Sequence, residues 1–147
     1  MATRKSDQVT KLDASPREQL ATHEYGGRVR QAFFNFVVPA GNAGIGDTIE
    51  LIDIEAGARI LGGKIAFEAM STGAGAASVQ LGDGTTADKY LGTTSVDAAG
   101  EADFAHTLAL NYGEKLSQKL RLTATVLTEA WAAGQRFSGQ VLFVHND

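Results

Sequence analysis

The 147-residue sequence contains no cysteine and only two prolines, and aromatic residues make up 7% of it. The absence of cysteine excludes a small fold held together by disulfides, thiolate metal sites and cysteine nucleophiles. No apolar run approaches the roughly 18 residues that a membrane-spanning helix requires, so we expect no membrane partner. The first residues, MATRKSDQVTKLD, are followed by no apolar segment, so we expect no secretory signal. What remains is a single globular domain, which the length alone also favours.

Charge is distributed unevenly along the chain, whose formal net charge is −4. Residues 1–30 carry six basic and four acidic side chains, whereas residues 31–147 carry seven basic and thirteen acidic ones. Because the first 24 residues also hold few large apolar side chains, residues 1–27 are predicted to form an extended arm that docks on an acidic surface. A solvated terminus without a partner is an equally good interpretation. The candidate docking residues are Arg4, Lys5, Lys11 and Arg17.

Nucleic acid is not an expected partner of this chain. The basic residues do not cluster densely, and aromatic residues are not interleaved with them, so the pattern typical of nucleic-acid binding is missing.

Within the arm, the segment Ser15–Leu20 predicts one short helical turn. Ser15 stands at a capping position, Pro16 at the first helical position and Glu18 three residues after the cap. The pair Gly26–Gly27 then marks the predicted boundary between the arm and a domain over residues 28–147.

After this boundary the pattern changes to short strands separated by glycine-containing turns. The predicted strands are Arg28–Val38, Thr48–Ile54, Ala58–Met70 with a bend at Gly62–Gly63, Ala77–Leu81, Tyr90–Thr94, Phe104–Leu110, Leu116–Thr128 and Arg136–His145. Strands spaced at about 8–12 residues with glycine turns are typical of an antiparallel β-sandwich or barrel. We therefore predict an all-β domain.

Alternation along the strands predicts which side chains form the core. In the seventh strand, Leu120, Leu122, Ala124 and Val126 share one face. In Thr48–Ile54, strict alternation places Ile49 and Leu51 opposite Ile54. The aromatic residues Phe33, Phe34 and Phe36 lie on both faces of the first strand; an oligomer contact would explain them, but core packing is the preferred interpretation. Trp131 is predicted to lie in a loop.

Candidate catalytic groups do not form a recognisable set. The histidines are His23, His106 and His145, and no serine lies in a nucleophile motif, so a hydrolytic triad is unsupported. We expect His106 to be a packed histidine and His145 to face solvent.

Two further patterns have simpler explanations than ligand binding. Asp83 and Asp88 flank a glycine turn and offer oxygen ligands to a calcium ion, but the calcium-loop pattern is absent, and aspartate is common in turns for its own hydrogen bonds. The glycine-rich segments 41–46 and 73–75 lack the lysine of a phosphate-binding loop, and we interpret them as turns. No cofactor is expected.

One set of segments resembles a known family. Residues 54–65 (IEAGARILGGKI) show a hydrophobic–x–x–G–x–R–hydrophobic pattern, residues 78–84 (SVQLGDG) contain L-G-D, and residues 88–91 (DKYL) contain D-x-Y. This combination, over residues 28–145, resembles small structural proteins encoded beside the major capsid protein in tailed phages.

The resemblance implies a capsid decoration (cement) protein: a non-enzymatic, often jelly-roll-like β-sandwich that binds the major capsid protein on the outside of the shell and stabilises the head. It also implies a homo-oligomer, an arm that reaches across capsomer boundaries, and a location on the virion surface after assembly in the host cytoplasm.

Other functions stay open from the sequence. A tail, neck or head-fibre component carries similar patterns. A carbohydrate-binding β-sandwich would need an exposed tryptophan or tyrosine over a groove, for which Trp131 is the available tryptophan.

Overall fold

The computed structural model describes residues 4–20, 28–108 and 112–145. Within these ranges there is no helix with the length and hydropathy needed to cross a membrane.

The helix α1 spans Asp7–Leu12. It begins after Ser6, whose Oγ accepts a hydrogen bond from the Val9 N–H at 3.2 Å and so satisfies one of the first helical donors. After the helix, the Glu18 N–H donates to the Lys11 carbonyl oxygen at 3.0 Å. The chain therefore folds back onto the end of α1.

The helical turn predicted for Ser15–Leu20 was wrong, because these residues form turns and irregular chain. Among them, the Glu18 N–H satisfies the Lys11 carbonyl oxygen at the end of α1. The boundary predicted at Gly26–Gly27 lies outside the described residues, so the division into residues 1–27 and 28–147 stays a prediction.

Eight strands form the body of the described structure. They are β1 Val29–Val37, β2 Thr48–Ile54, β3 Ala58–Phe67, β4 Ser78–Gly82, β5 Leu91–Ser95, β6 Gly100–Phe104, β7 Leu120–Leu127 and β8 Arg136–His145. The bounds of β2 and β8 coincide with the predicted ones, because turn residues border both strands.

The strands form two four-stranded antiparallel sheets. The first sheet has the order β1-β8-β3-β6, and the second sheet has the order β2-β7-β4-β5. The chain crosses between the sheets after every strand except β4, which is followed by its neighbour β5. This is the order of an eight-stranded jelly roll, so the predicted antiparallel, jelly-roll-like β-sandwich is confirmed.

Loops of the sandwich meet at two ends. At the end that we call the Trp131 end, the backbone of Trp131 forms bridges to Ala43 in the β1–β2 loop and to Ser71 in the β3–β4 loop. The Met70 N–H also donates to the Val96 carbonyl oxygen at 3.0 Å, which ties the β5–β6 loop to the same end.

The opposite end, which we call the Tyr90 end, joins the other three loops. The Gly57 N–H donates to the Leu116 carbonyl oxygen at 2.8 Å, which connects the β2–β3 and β6–β7 loops. The Thr107 N–H donates to the Lys89 carbonyl oxygen at 3.0 Å, which connects the β4–β5 loop to the same segment.

The core lies between the sheets. The alternation predicted for β7 is confirmed, since Leu120, Leu122, Ala124 and Val126 are all buried. Trp131 lies in a loop as predicted, and its ring packs on Phe137 with the ring centroids 5.1 Å apart. Large side chains buried with them include Ile54, Ile65, Met70, Leu81 and Tyr90.

Two strand predictions need correction. A strand was predicted over Phe104–Leu110, but the observed strand β6 is Gly100–Phe104 and ends at the first residue of the predicted one. In β2, the register shifts between Glu50 and Ile52, and this bulge brings Ile49 and Ile54 to the same buried face instead of opposite faces.

The aromatic prediction for β1 was correct for Phe34 and wrong for Phe33. Phe34 is buried and Phe36 is partly buried, whereas 66% of Phe33 is exposed. The reason is that the first sheet packs on the second sheet with one face, so that the outward face of β1 meets no second layer among the described residues.

Candidate functional site

The outward face of β1 carries several exposed apolar side chains. Val29, Phe33 and Val37 are large apolar side chains with 54%, 66% and 45% of their surface exposed. Next to them, a shallow depression of about 260 Å³ is lined by Phe33, Lys64 and Gln140, together with small residues of β3 and β8. Soluble domains rarely leave such side chains together in water, so this face is a candidate interaction surface.

The outward face of the second sheet is different, because it is charged and polar. Arg121 on β7 donates from Nε to Asp53 at 2.8 Å and from Nη1 to Glu50 at 3.0 Å, both across to β2. Lys119 adds an ion pair with Asp53 at 3.4 Å. The hydrogen bonds from Arg121 hold the pKa of Asp53 down at about 2. A paired, charged face of this kind is suited to water.

At the Tyr90 end, a polar pocket of about 260 Å³ opens between the β4–β5 and β6–β7 loops. The Lys89 ammonium pairs with Asp83 at 3.2 Å and lies 5.9 Å from the centroid of the Tyr90 ring. His106 packs edge-on against the same ring at 5.2 Å, which agrees with its predicted role as a packed histidine.

The ionisation states in this pocket follow from burial. Burial raises the pKa of Tyr90 to about 12, so the phenol stays neutral. Burial, followed by the nearby Lys89 charge, lowers the pKa of His106. Its Nδ1 is buried and has no hydrogen-bond partner within the described residues. The pocket therefore favours the neutral form of the His106 imidazole, next to the ion pair of Lys89 with Asp83.

Asp83 has a structural task within this pocket. Its Oδ1 accepts hydrogen bonds from the N–H groups of Thr85 and Thr86 at 3.0 and 2.8 Å, which is the aspartate turn considered from the sequence. Asp88 is exposed on the same turn. Among the described residues, no group of three or more histidine, aspartate or glutamate side chains could hold a metal ion.

At the Trp131 end, the buried carboxylate of Glu129 organises the β3–β4 loop. Its oxygens accept hydrogen bonds from the backbone N–H groups of Thr72, Ala74 and Ala76 at 2.8, 2.9 and 2.8 Å. The hydroxyls of Ser71 and Thr72 donate at 2.9 and 2.8 Å. The hydrogen bonds from Ala76 and Ala74 lower the pKa of Glu129 to about 2.

Sequence reasoning missed Glu129. Its donors lie more than fifty residues away along the chain, and no local pattern marks an anion held by a remote loop. One signal was available in the sequence. Glu129 lies close to Trp131 in the predicted loop, and no basic residue lies nearby in the sequence to pair with its carboxylate.

The predicted docking residues of the arm lie around α1. Lys5 precedes the helix and forms an ion pair with Asp13 at 2.7 Å, whereas Lys11 lies in the last helical turn. Arg4 and Arg17 are exposed. Docking of these residues on an acidic surface stays a prediction. His145, expected to face solvent, is partly buried, and its Nε2 lies 3.2 Å from the Ala56 carbonyl oxygen.

Comparison with known proteins gives matches at the level of structure. No family model matches the chain, and no curated protein matches its sequence.

Three solved structures share the fold. A chain from the capsid of Ralstonia phage GP4 matches with a TM-score of 0.69 and 18% identity, over 82% of this chain and 86% of that chain. A chain from the cyanophage Pam1 capsid matches with a TM-score of 0.67 and 20% identity, over 90% and 96%. A chain from the capsid of Helicobacter pylori bacteriophage KHP30 matches with a TM-score of 0.59 and 16% identity, over 81% and 89%. The resemblance to phage virion proteins is thus confirmed in the fold, which this chain shares nearly from end to end with chains found in phage capsids.

Proposed function

We propose that this chain is a non-enzymatic virion structural protein of the decoration (cement) type, which binds the major capsid protein on the outside of a phage head and stabilises the shell. The observation that carries the proposal is the similarity to capsid structures over 90% of this chain and 96% of the matched chain. We further propose that the protein acts as a homo-oligomer.

The body offers features suited to this role. The Trp131 end is held rigid by Glu129 and by the buried indole, so its loops can present a fixed surface. Fixed loops on a rigid sandwich lose little conformational entropy when they bind. Many such copies on a symmetric shell gain avidity even when each single contact is weak.

The arm is proposed to add an electrostatic contact. Arg4 and Arg17 are exposed basic side chains beside α1 and lie in a segment that is more basic than the acidic body. If they meet acidic capsid surface, salt weakens the attachment, because the screening length is about 10 Å at 0.1 M ionic strength.

Co-sedimentation with undecorated capsids of the parent phage tests the proposal. The full chain is expected to pellet with the capsids and to raise the temperature at which they break open. A variant with Arg4, Lys5, Lys11 and Arg17 all changed to Gln is expected to bind more weakly and to depend less on salt. Lys115→Gln, at an exposed lysine of the β6–β7 loop, is the matched control and is expected to bind like the wild type.

Different results separate the parts of the proposal. Equal binding by the wild type and the four-Gln variant removes the arm from the mechanism and leaves attachment to the body. Absence of binding, together with density for the protein on the tail in cryo-EM maps of the parent virion, would replace the decoration role with a tail or neck role.

Two aromatic residues are unavailable to the carbohydrate-binding alternative. Trp131 and Tyr90 are 0% and 2% exposed, so neither ring can stack on a sugar. Tyr112 is 55% exposed, and its hydroxyl donates to the Leu61 carbonyl oxygen at 2.7 Å.

A further inference from the structure

The strand β1 is an edge with little of the usual protection against pairing. It has nine residues and pairs in a continuous register with β8, and no other strand of the described residues lies along its second edge. Natural edge strands are usually short, or are blocked by proline, a bulge or charged side chains. β1 has no proline and no bulge, and its one charged residue, Arg30, is the second residue of the strand.

The outward side chains of β1 are symmetric in their chemistry. They are Val29, Gln31, Phe33, Asn35 and Val37, all exposed, and Phe33 is the midpoint of the strand. In each direction from Phe33, the next outward side chain is an amide and the one after it is a valine. A strand with this order is complementary to an antiparallel copy of itself.

We propose that two copies of this protein associate through β1, antiparallel and centred on Phe33. In this register, Val29 faces Val37 of the second copy, and Gln31 faces Asn35 of the second copy. The two Phe33 rings meet at the two-fold axis, where directly opposed side chains lie about 4.5–5.5 Å apart at Cβ. The two first sheets then form one sheet of eight strands, and the contact closes on itself as a dimer.

The inward side of β1 supports the same pairing. Ala32 and Phe36 point toward the core but are only partly buried, because no strand covers the outer edge of β1 among the described residues. A second copy placed along that edge covers both side chains.

Length and charge favour β1 over the other edge strands for self-association. The edge strand β5 is uncharged but has only five residues, against nine in β1. β2 carries Glu50 and Asp53 on its outward face, and β6 carries Glu101 and Asp103 as exposed residues. Self-pairing of either strand brings like charges together, which is unfavourable. The five outward residues of β1 carry no charge.

This proposal goes beyond attachment to a shell, because the pairing occurs between free copies in solution. It gives the homo-oligomer proposed above a defined interface. Since the experiments below contain no capsids, their failure leaves the decoration role to be tested separately by co-sedimentation.

Sedimentation equilibrium of the full chain is the first test. The wild type is expected to show a mass near twice the 15.4 kDa of one chain. Phe33→Lys places two ammonium groups opposite each other and is expected to reduce the mass to that of one chain. Leu108→Lys, at a residue of the β6–β7 loop that is 61% exposed, is the matched control and is expected to leave the dimer intact.

Cysteine cross-linking tests the register, and the absence of natural cysteine makes the readout clean. Phe33→Cys is expected to form a disulfide-linked dimer under mild oxidation, since opposed cross-strand positions are close to disulfide distance. Gln31→Cys alone is expected to remain single, whereas a mixture of Gln31→Cys with Asn35→Cys is expected to cross-link.

Three outcomes would overturn the proposal. A wild type that sediments as one chain, with no cross-link in any variant, excludes the dimer. Cross-linking of Gln31→Cys with itself excludes the register centred on Phe33. A single-chain wild type whose capsid binding is abolished by Phe33→Lys would show that a strand of the shell, rather than a second copy, covers β1.

Discussion

The ring of Phe34 fills the space that a side chain at Gly139 would occupy. A Cβ on Gly139 would lie 2.7 Å from Phe34 Cζ and 2.3 Å from the Lys64 carbonyl oxygen. The two residues face each other across the β1–β8 pair, so the missing side chain on β8 lets the aromatic ring of β1 lie over its neighbour. This contact fixes which of two consecutive phenylalanines points inward, and it leaves Phe33 on the outside.

Gly139→Ala is therefore expected to destabilise the fold. The added methyl group meets backbone atoms that cannot move away, and overpacking of this kind costs about 1–3 kcal/mol. Denaturant titration followed by the fluorescence of Trp131 measures the loss. Gly92→Ala on β5 is the matched control, because a Cβ there meets no atom within 4 Å. Equal stability of the two variants would contradict the proposed role of Gly139.

Truncation of a core leucine tests the packing between the sheets. Leu122 is 1% exposed on the central strand β7, so Leu122→Ala is expected to lower the free energy of unfolding by about 2–5 kcal/mol. Phe143→Ala is expected to cost less than a fully buried phenylalanine would, because Phe143 is only partly buried at the margin of the core. A loss below about half a kcal/mol for Leu122→Ala, measured by denaturant titration, would mean that the position does not face the core.

Much of the strand content could be predicted because it depends on local patterns. The bounds of β2 and β8 follow from β-branched residues between turns. The sixth strand was misplaced because apolar content favoured the residues after Phe104. The actual strand alternates instead, with Glu101 and Asp103 exposed between the inward Ala102 and Phe104.

Pairing between distant strands could not be predicted in the same way. Nothing local to β1 indicates that β8 is its neighbour or which of its faces packs on the second sheet, so the exposure of Phe33 was missed. The bulge in β2 occurs in its pairing with β7. This bulge moves Ile54 to the face of β2 opposite the expected one. The role of Glu129 depends on a loop that folding brings to it, and such long-range contacts leave no periodic signal in the sequence.

The carboxylate of Glu129 is expected to make stability depend on acid. Its pKa is about 2 in the folded protein, against an ordinary value of 4.5. Between these values the unfolded chain binds a proton more readily than the folded one, so stability falls as the pH falls. The stabilisation is complete above about pH 5 and is lost progressively toward pH 2.

Glu129→Gln tests this dependence. The amide presents one carbonyl oxygen, as the protonated acid does, and cannot take a charge. Its melting temperature is expected to lie below that of the wild type at pH 7, and the two values are expected to converge as the pH approaches 2.

Glu55→Gln, at an exposed carboxylate in the turn after β2, is the control for this prediction and is expected to follow the wild type throughout. Asp53, whose pKa is also lowered to about 2, leaves a residual acid dependence in every variant. A difference between the wild type and Glu129→Gln that stays constant from pH 7 to pH 2.5 would show that the charge of Glu129 does not hold the β3–β4 loop.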